Sequence, residues 1–95
     1  MAGPLDGVKI IELGQMIAVP GATYILATQG AEIIKVENTT GGDDLRMYGS
    51  RKNGMSGWFA NANAGKRSIG IDLLSEEGKQ VLWRLLKRSD IFIQG

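Results

Sequence analysis

VKIIELGQMIAVPGATYILATQGAEIIKVE, residues 8–37, decides the fold. Its opening run, Val8 to Leu13, is short and mostly apolar, as suits a strand covered on both faces. Gly14 interrupts it. From Pro20 to Gln29 the residues suit a helix, with Pro20 at the first helical position and Gly30 just past the end. Ala22, Ile25, Leu26 and Gln29 trace the expected inner face, and Ala27 is small enough for close packing. Glu32 to Glu37 is a second strand. A strand, a helix and a strand in this span form a right-handed βαβ unit and imply parallel pairing. The expected fold class is α/β with a mainly parallel sheet.

Downstream, Asn38 to Asp44 is turn chemistry. A cationic crossing follows from Arg46 to Arg67, with Arg51, Lys52 and Lys66 between them and no carboxylate. It also carries Gly49, Gly54, Gly57 and Gly65. Such a stretch suits either a phosphorylated ligand or a solvated loop. Its length points to function or to short elements hidden in the pattern. Trp58 and Phe59 are expected to pin its middle to the core. Ser68 to Leu73 alternates and reads as a third strand, with Ile69, Ile71 and Leu73 on one side. Ser75 is the expected N-cap of a second helix, with Glu76 and Glu77 in its first turn. Val81, Leu82, Leu85 and Leu86 form its apolar stripe, and Lys79, Arg84, Lys87 and Arg88 its wet side. Ile91-Phe92-Ile93 begins a fourth strand near the last residue, Gly95. A parallel strand normally feeds a further crossover, so the chain is expected to be the front part of a longer polypeptide.

The 95 residues suffice for one small domain, and 43% hydrophobic with 22% charged residues is ordinary globular composition. A net charge of +1 gives no global field for nucleic acid. Cysteine and histidine are absent. That removes thiolate chemistry, the usual general base and the commonest metal ligand, so no metal site is expected. No apolar run is long enough for a membrane span, and MAGPLDG lacks a signal pattern. A cytoplasmic protein is the expectation.

The turn after the first strand, Gly14 to Gly21, holds no G-x-G-x-x-G, which argues against dinucleotide binding. It still precedes a helix and ends a parallel strand, so Met16, Ile17 and Ala18 are placed either to line a ligand crevice or to join the core. Glu37 is expected to be a strand-end carboxylate bonded to nearby backbone. Adjacent Asp43 and Asp44 make a poor acid–base pair and suit turn or cap roles, and Asp72 a cap or an ion pair. Lys66-Arg67-Ser68 suits a phosphate, or pairs with Glu37 or Asp43 to close the loop. With no partnered nucleophile, the residues support ligand binding better than catalysis.

Certain motifs, in order, carry a family likeness. They are Pro4-Leu5, Gly7 to Leu13, Ala18 with Pro20, Gly30 to Glu37, Gly42-Asp43 with Arg46, and Gly65 to Ile69 with Ile71-Asp72-Leu73. Together they resemble the start of the class III coenzyme A-transferases, a group that includes formyl-CoA and carnitine-CoA transferases and alpha-methylacyl-CoA racemase. The likeness runs from Pro4 to Gln94. It implies a whole protein several times longer, with a Rossmann-like large domain of which residues 1–95 are the N-terminal segment. It implies two subunits interlocked as a homodimer, and acyl-CoA and carboxylic acids as substrates. It implies CoA transfer through an aspartate that becomes acylated and then carries CoA as a thioester. That aspartate lies beyond Gly95, so this stretch alone is expected to be inactive. The likeness implies CoA contacts at Ile17, Ala18, Asn38, Ile71, Asp72, Leu73 and Leu74. Arg46, Lys66 and Arg67 are candidate phosphate contacts that are also partly structural. This chain departs from relatives that have a basic residue at position 38 or 74, asparagine at 65, or glutamine at 17. The alternatives are a racemase-type enzyme and a non-catalytic nucleotide-binding module.

Overall fold

The computed structural model describes residues 3–95. Strand β1 (Lys9–Leu13), helix α1 (Ala18–Thr28) and strand β2 (Glu32–Glu37) form the first βαβ unit. A 3-10 turn (Asp44–Met47), strands β3 (Arg51–Lys52) and β4 (Met55–Ser56) and helix α2 (Gly57–Ala62) fill the cationic crossing. Strand β5 (Arg67–Gly70), helix α3 (Glu76–Lys87) and strand β6 (Ile91–Gln94) complete the order. The four long strands lie as β5-β2-β1-β6, and every neighbour is parallel. The α/β class and the parallel sheet expected from residues 8–37 are both present. Among the described residues, no helix is long and apolar enough to cross a membrane.

The sheet separates two cores. Ile10, Ala31 and Ile33 pack with Leu26 and Ala27 of α1. On the other face Ile11, Val36 and Ile71 pack with Val81, Leu82, Leu85 and Leu86 of α3, the stripe read from the sequence. Ser75 caps α3 by accepting the Gly78 N–H at 2.9 Å.

Gly78 itself is buried, and a Cβ there would overlap the carbonyl oxygen of Asp72. Replacing a helical glycine by alanine ordinarily stabilises by about 1 kcal/mol. Gly78→Ala is expected to reverse that sign and destabilise by about 1–2 kcal/mol through overpacking. Urea unfolding of the two chains measures it, and a stabilised variant would disprove the close approach.

Two sequence expectations need correction. Helix α1 begins at Ala18, so Pro20 is its third residue. The missing N–H is harmless there, since the first four N–H groups have no partner inside a helix. The inner face is Pro20, Thr23, Leu26 and Ala27, while Ala22, Ile25 and Gln29 are exposed. The helix is turned by Thr23, whose hydroxyl donates to the buried Glu12 Oε1 at 2.6 Å. The second correction concerns the aromatic pair. Phe59 is buried, but Trp58 is 60% exposed. Consecutive residues on the short helix α2 cannot both face inward.

Candidate functional site

Side chains two apart on a strand share a face. On the α1 side, Ile10 is followed by Glu12, and Ile33 by Lys35 and then Glu37. The face therefore passes from apolar to charged toward the strands' carboxyl ends. These three charged residues are nonetheless buried, Glu12 and Lys35 almost completely. The register sets Glu12 beside Lys35, and Lys35 beside Ser68.

Lys35 Nζ contacts Glu12 Oε2 at 3.0 Å, Asp43 Oδ2 at 2.8 Å and the Gly14 carbonyl at 3.1 Å. Lys66 Nζ contacts Glu12 Oε1 and Asn63 Oδ1, each at 2.8 Å, and the Pro20 carbonyl at 3.0 Å. Two carboxylates and two ammonium groups thus sum to zero. Burying an ion without a partner costs several kcal/mol, and the pairing offsets that cost. Burial pushes the Lys66 ammonium down from its ordinary pKa, against the upward pull of Glu12. Lys66 Nζ hydrogen-bonds Asn63 Oδ1 and the Pro20 carbonyl and pairs in charge with Glu12. With its side chain only 2% exposed, Lys66 is held as a buried structural cation. Its partner is Glu12 rather than Glu37 or Asp43.

Glu37 forms a second cluster. Arg46 grips it with Nε on Oε1 at 2.8 Å and Nη2 on Oε2 at 2.7 Å. The Asp43 N–H donates to Oε1 at 2.7 Å, and the Ser68 hydroxyl to Oε2. Burial alone would raise this carboxyl, but the bonds from Arg46, Ser68 and Asp43 outweigh it and lower it from 4.5 to about 2. The Arg46 guanidinium also lies 3.8 Å above the Phe59 ring. Gly42, at φ 75°, passes so close to Glu37 and Arg46 that a side chain would intrude. Arg67 opens β5 and pairs with Glu32 at the start of β2, away from the strand ends near Asn38.

Beyond these clusters two crevices open at the strand ends. One, about 180 Å³, lies between Asn38–Thr40 and Ile71–Leu74. The other, about 420 Å³, adjoins it across Asn38 and Thr39 and reaches Arg46, Ser68 and Gly70. Asn38 is fixed by its own turn: Oδ1 accepts the N–H groups of Thr40 and Gly42, and Nδ2 donates to the Gly42 carbonyl. Ile71 points into the core, whereas Leu74 is 94% exposed. Asp72 accepts the Leu74 N–H at 3.0 Å in a local turn ahead of α3, whose cap is Ser75 rather than Asp72. The structure thus brings Asn38 together with Ile71–Leu74. Ile17 and Ala18 are both exposed at the start of α1 and line neither crevice. A separate hollow of about 170 Å³ beneath α3 contains none of these residues.

Met16, just before Ile17, has φ 65°. A non-glycine residue in this left-handed region costs about 1 kcal/mol or more. The Met16 N–H donates to Asp43 Oδ1 at 3.0 Å. Asp43 also caps the 3-10 turn through the Leu45 N–H at 2.9 Å. It is therefore a cap, as expected, and a buried ion-pair partner as well. Sequence reasoning missed Glu12 and Lys35, and so missed that the cation paired with Asp43 is Lys35. The available signal was position: Glu12 and Lys35 stand two residues beyond Ile10 and Ile33, where the strand period turns them toward the same covered face.

Comparison with known proteins bears on what these strand ends serve. The succinate–glutarate CoA-transferase of Agrobacterium fabrum is 40% identical over 98 residues, covering 96% of this chain and 24% of that protein. The human succinyl-CoA:glutarate CoA-transferase is 37% identical, with 96% and 21% covered. The crystal structure of a CAIB/BAIF family protein from Brucella suis superposes with a TM-score of 0.90 at 37% identity, covering 99% of this chain and 26% of that one. The chain therefore spans roughly a quarter of the length of these relatives. The family described as CoA-transferase family III matches residues 5–95, nearly the whole sequence, and the chain belongs to that family.

Proposed function

We propose that the chain is the CoA-gripping N-terminal segment of an enzyme that moves CoA between carboxylic acids. One observation supports this most. Asn38 and Ile71–Leu74, far apart in sequence, line a single crevice beyond the carboxyl ends of parallel strands. Open α/β sheets receive ligands there. Leu73 and Leu74 offer apolar surface and the Asn38–Thr40 turn offers polar backbone, a combination that suits the purine end of CoA.

The reaction of the whole enzyme is read as a double displacement. A carboxylate of an enzyme aspartate beyond Gly95 attacks the thioester carbonyl, and CoA leaves as thiolate. The thiolate then attacks the aspartyl carbonyl of the mixed anhydride, which frees the first acid and leaves CoA as an enzyme thioester. The second acid reverses these steps. The relatives' names speak for transfer rather than racemisation, and make dicarboxylic acids the proposed substrates. Family membership argues against a free-standing nucleotide-binding module. The reading extends to an interlocked homodimer in the cytoplasm and to an inactive isolated segment. Turnover by the pure 95-residue chain would overturn that last point.

Titration of the nitrogen-15-labelled chain with CoA tests the crevice. The amides of Asn38, Thr39, Leu73 and Leu74 are expected to shift together. Lys66 is buried among its partners, and Arg46 gives its Nε and Nη2 to Glu37. Dephospho-CoA is expected to bind within a factor of about three of CoA, less than about 0.7 kcal/mol apart. Saturating CoA with no shift in those four amides would refute the site.

A further inference from the structure

We propose that Asp43, oriented by Lys35, is a positioning residue that fixes the shape of the loop from Gly14 to Ala18. The inference rests on the CoA reading for what that loop serves, since the family resemblance implies CoA contacts at Ile17 and Ala18, although neither lines the crevice at Asn38. The geometry of the clamp stands independently.

Among the described residues only Met16 and Asn53 combine a side chain with positive φ. Asparagine tolerates that region, but methionine has no local means of holding it. Met16 is held from outside, by a carboxylate 27 residues further along the chain. The same segment binds the loop twice more. Lys35 Nζ donates to the Gly14 carbonyl, and the Asp44 N–H donates to Gln15 Oε1 at 3.0 Å. Three consecutive loop residues are thus each tied to the β2 side of the sheet.

The two oxygens of Asp43 have separate duties. Oδ1 takes the N–H groups of Met16 and Leu45. Oδ2 is sealed from solvent with no directional hydrogen bond, and is held by the charge of Lys35 at 2.8 Å. A cap for a 3-10 turn needs only one exposed oxygen acceptor. Burying a whole carboxylate against a buried lysine does something further: it sets which oxygen faces Met16. Ile17, directly after Met16, is 58% exposed. Its direction and that of Ala18 follow from the Met16 backbone angle.

Hydrogen exchange on the full 95-residue chain, with CoA titration alongside, tests this. In Asp43→Ala the Met16 amide is expected to exchange at least about tenfold faster than any loss of protection shared with the β1 and β2 amides accounts for. CoA affinity is expected to fall about tenfold. Glycine adopts positive φ freely. Adding Met16→Gly to Asp43→Ala is therefore expected to restore most of the lost affinity, an outcome that a merely structural aspartate would not give. If Asp43→Ala does not fold, Asp43→Asn takes its place. It keeps an oxygen acceptor and loses the charge that Lys35 orients, so Met16 exchange is again expected to rise. An unchanged Met16 rate, or protection lost equally from every strand, overturns the proposal. A wild-type chain that ignores CoA removes the ligand reading, while the exchange data still decide the clamp.

Discussion

Lys35→Met is expected to remove most of the chain's stability at neutral pH. The substitution leaves Glu12 and Asp43 buried with Lys66 as the only remaining cation of their cluster, and Lys66 touches Glu12 alone of the two. Breaking a buried pair by removing one partner typically costs about 3–5 kcal/mol. Native domains are stable by only about 5–15 kcal/mol, and a chain of this size falls toward the lower end. Most of its margin would therefore disappear. Urea unfolding followed by circular dichroism measures the loss. A midpoint implying less than about 1 kcal/mol of change would show that the cluster does not hold the sheet. Adding Asp43→Asn makes the buried set neutral again, and is expected to recover a sizeable part of the loss despite removing another native group. That non-additivity is the signature of direct coupling.

Glu37→Gln is the second large effect, and it has a pH signature. In the folded chain the carboxyl is lowered from 4.5 to about 2. A lowered carboxylate contributes stability that is fully present above its unfolded value and is lost as pH falls through its folded value. The window is therefore from about pH 4.5 down to about pH 2. Linkage sets the unscreened contribution near 3 kcal/mol. The Arg46 side chain is 34% exposed. Solvent screening reduces the contribution toward about 2 kcal/mol. The wild-type chain is expected to exceed Glu37→Gln by that amount at pH 6, with the gap closing toward pH 2. A gap that stays constant across this window would assign the stability of the strand end to something other than the Glu37 charge.

The parallel sheet was legible because residues 8–37 repeat a simple pattern: apolar run, helix, apolar run. Helix α3 was legible because its cap, its acidic first turn and its apolar stripe agree. Helix α1 was harder. Its orientation depends on Thr23 reaching Glu12, a tertiary contact that hydrophobic periodicity does not encode. The short elements expected in the crossing are present but could not be placed from periodicity, although Asn53-Gly54 marks a hairpin. Both residues have positive φ, as a two-residue turn between β3 and β4 requires. The short flanking strands gave no alternation long enough to support that signal.

The site was legible to a different degree. Likeness to a family brought forward Asn38 and Ile71–Leu74, which the fold does bring to one crevice. Three of the five cations of the crossing looked free in sequence because their carboxylate partners lie elsewhere in the chain. Lys66 meets Glu12, Arg46 meets Glu37 and Arg67 meets Glu32. Net charge within a segment says little about the field at a site when the compensating groups arrive from other strands.

The four buried ions at positions 12, 35, 43 and 66 come from four separate parts of the chain. No one of them can change sign or vanish without stranding another. Random drift at these positions is therefore trapped: a viable descendant must alter two of opposite sign within the same lineage, or none. An engineer recombining segments from related sequences meets the same constraint. Crossover points that separate residues 12 and 35 from 43 and 66 are expected to yield strongly destabilised chimaeras, unless both parents carry the same charges there.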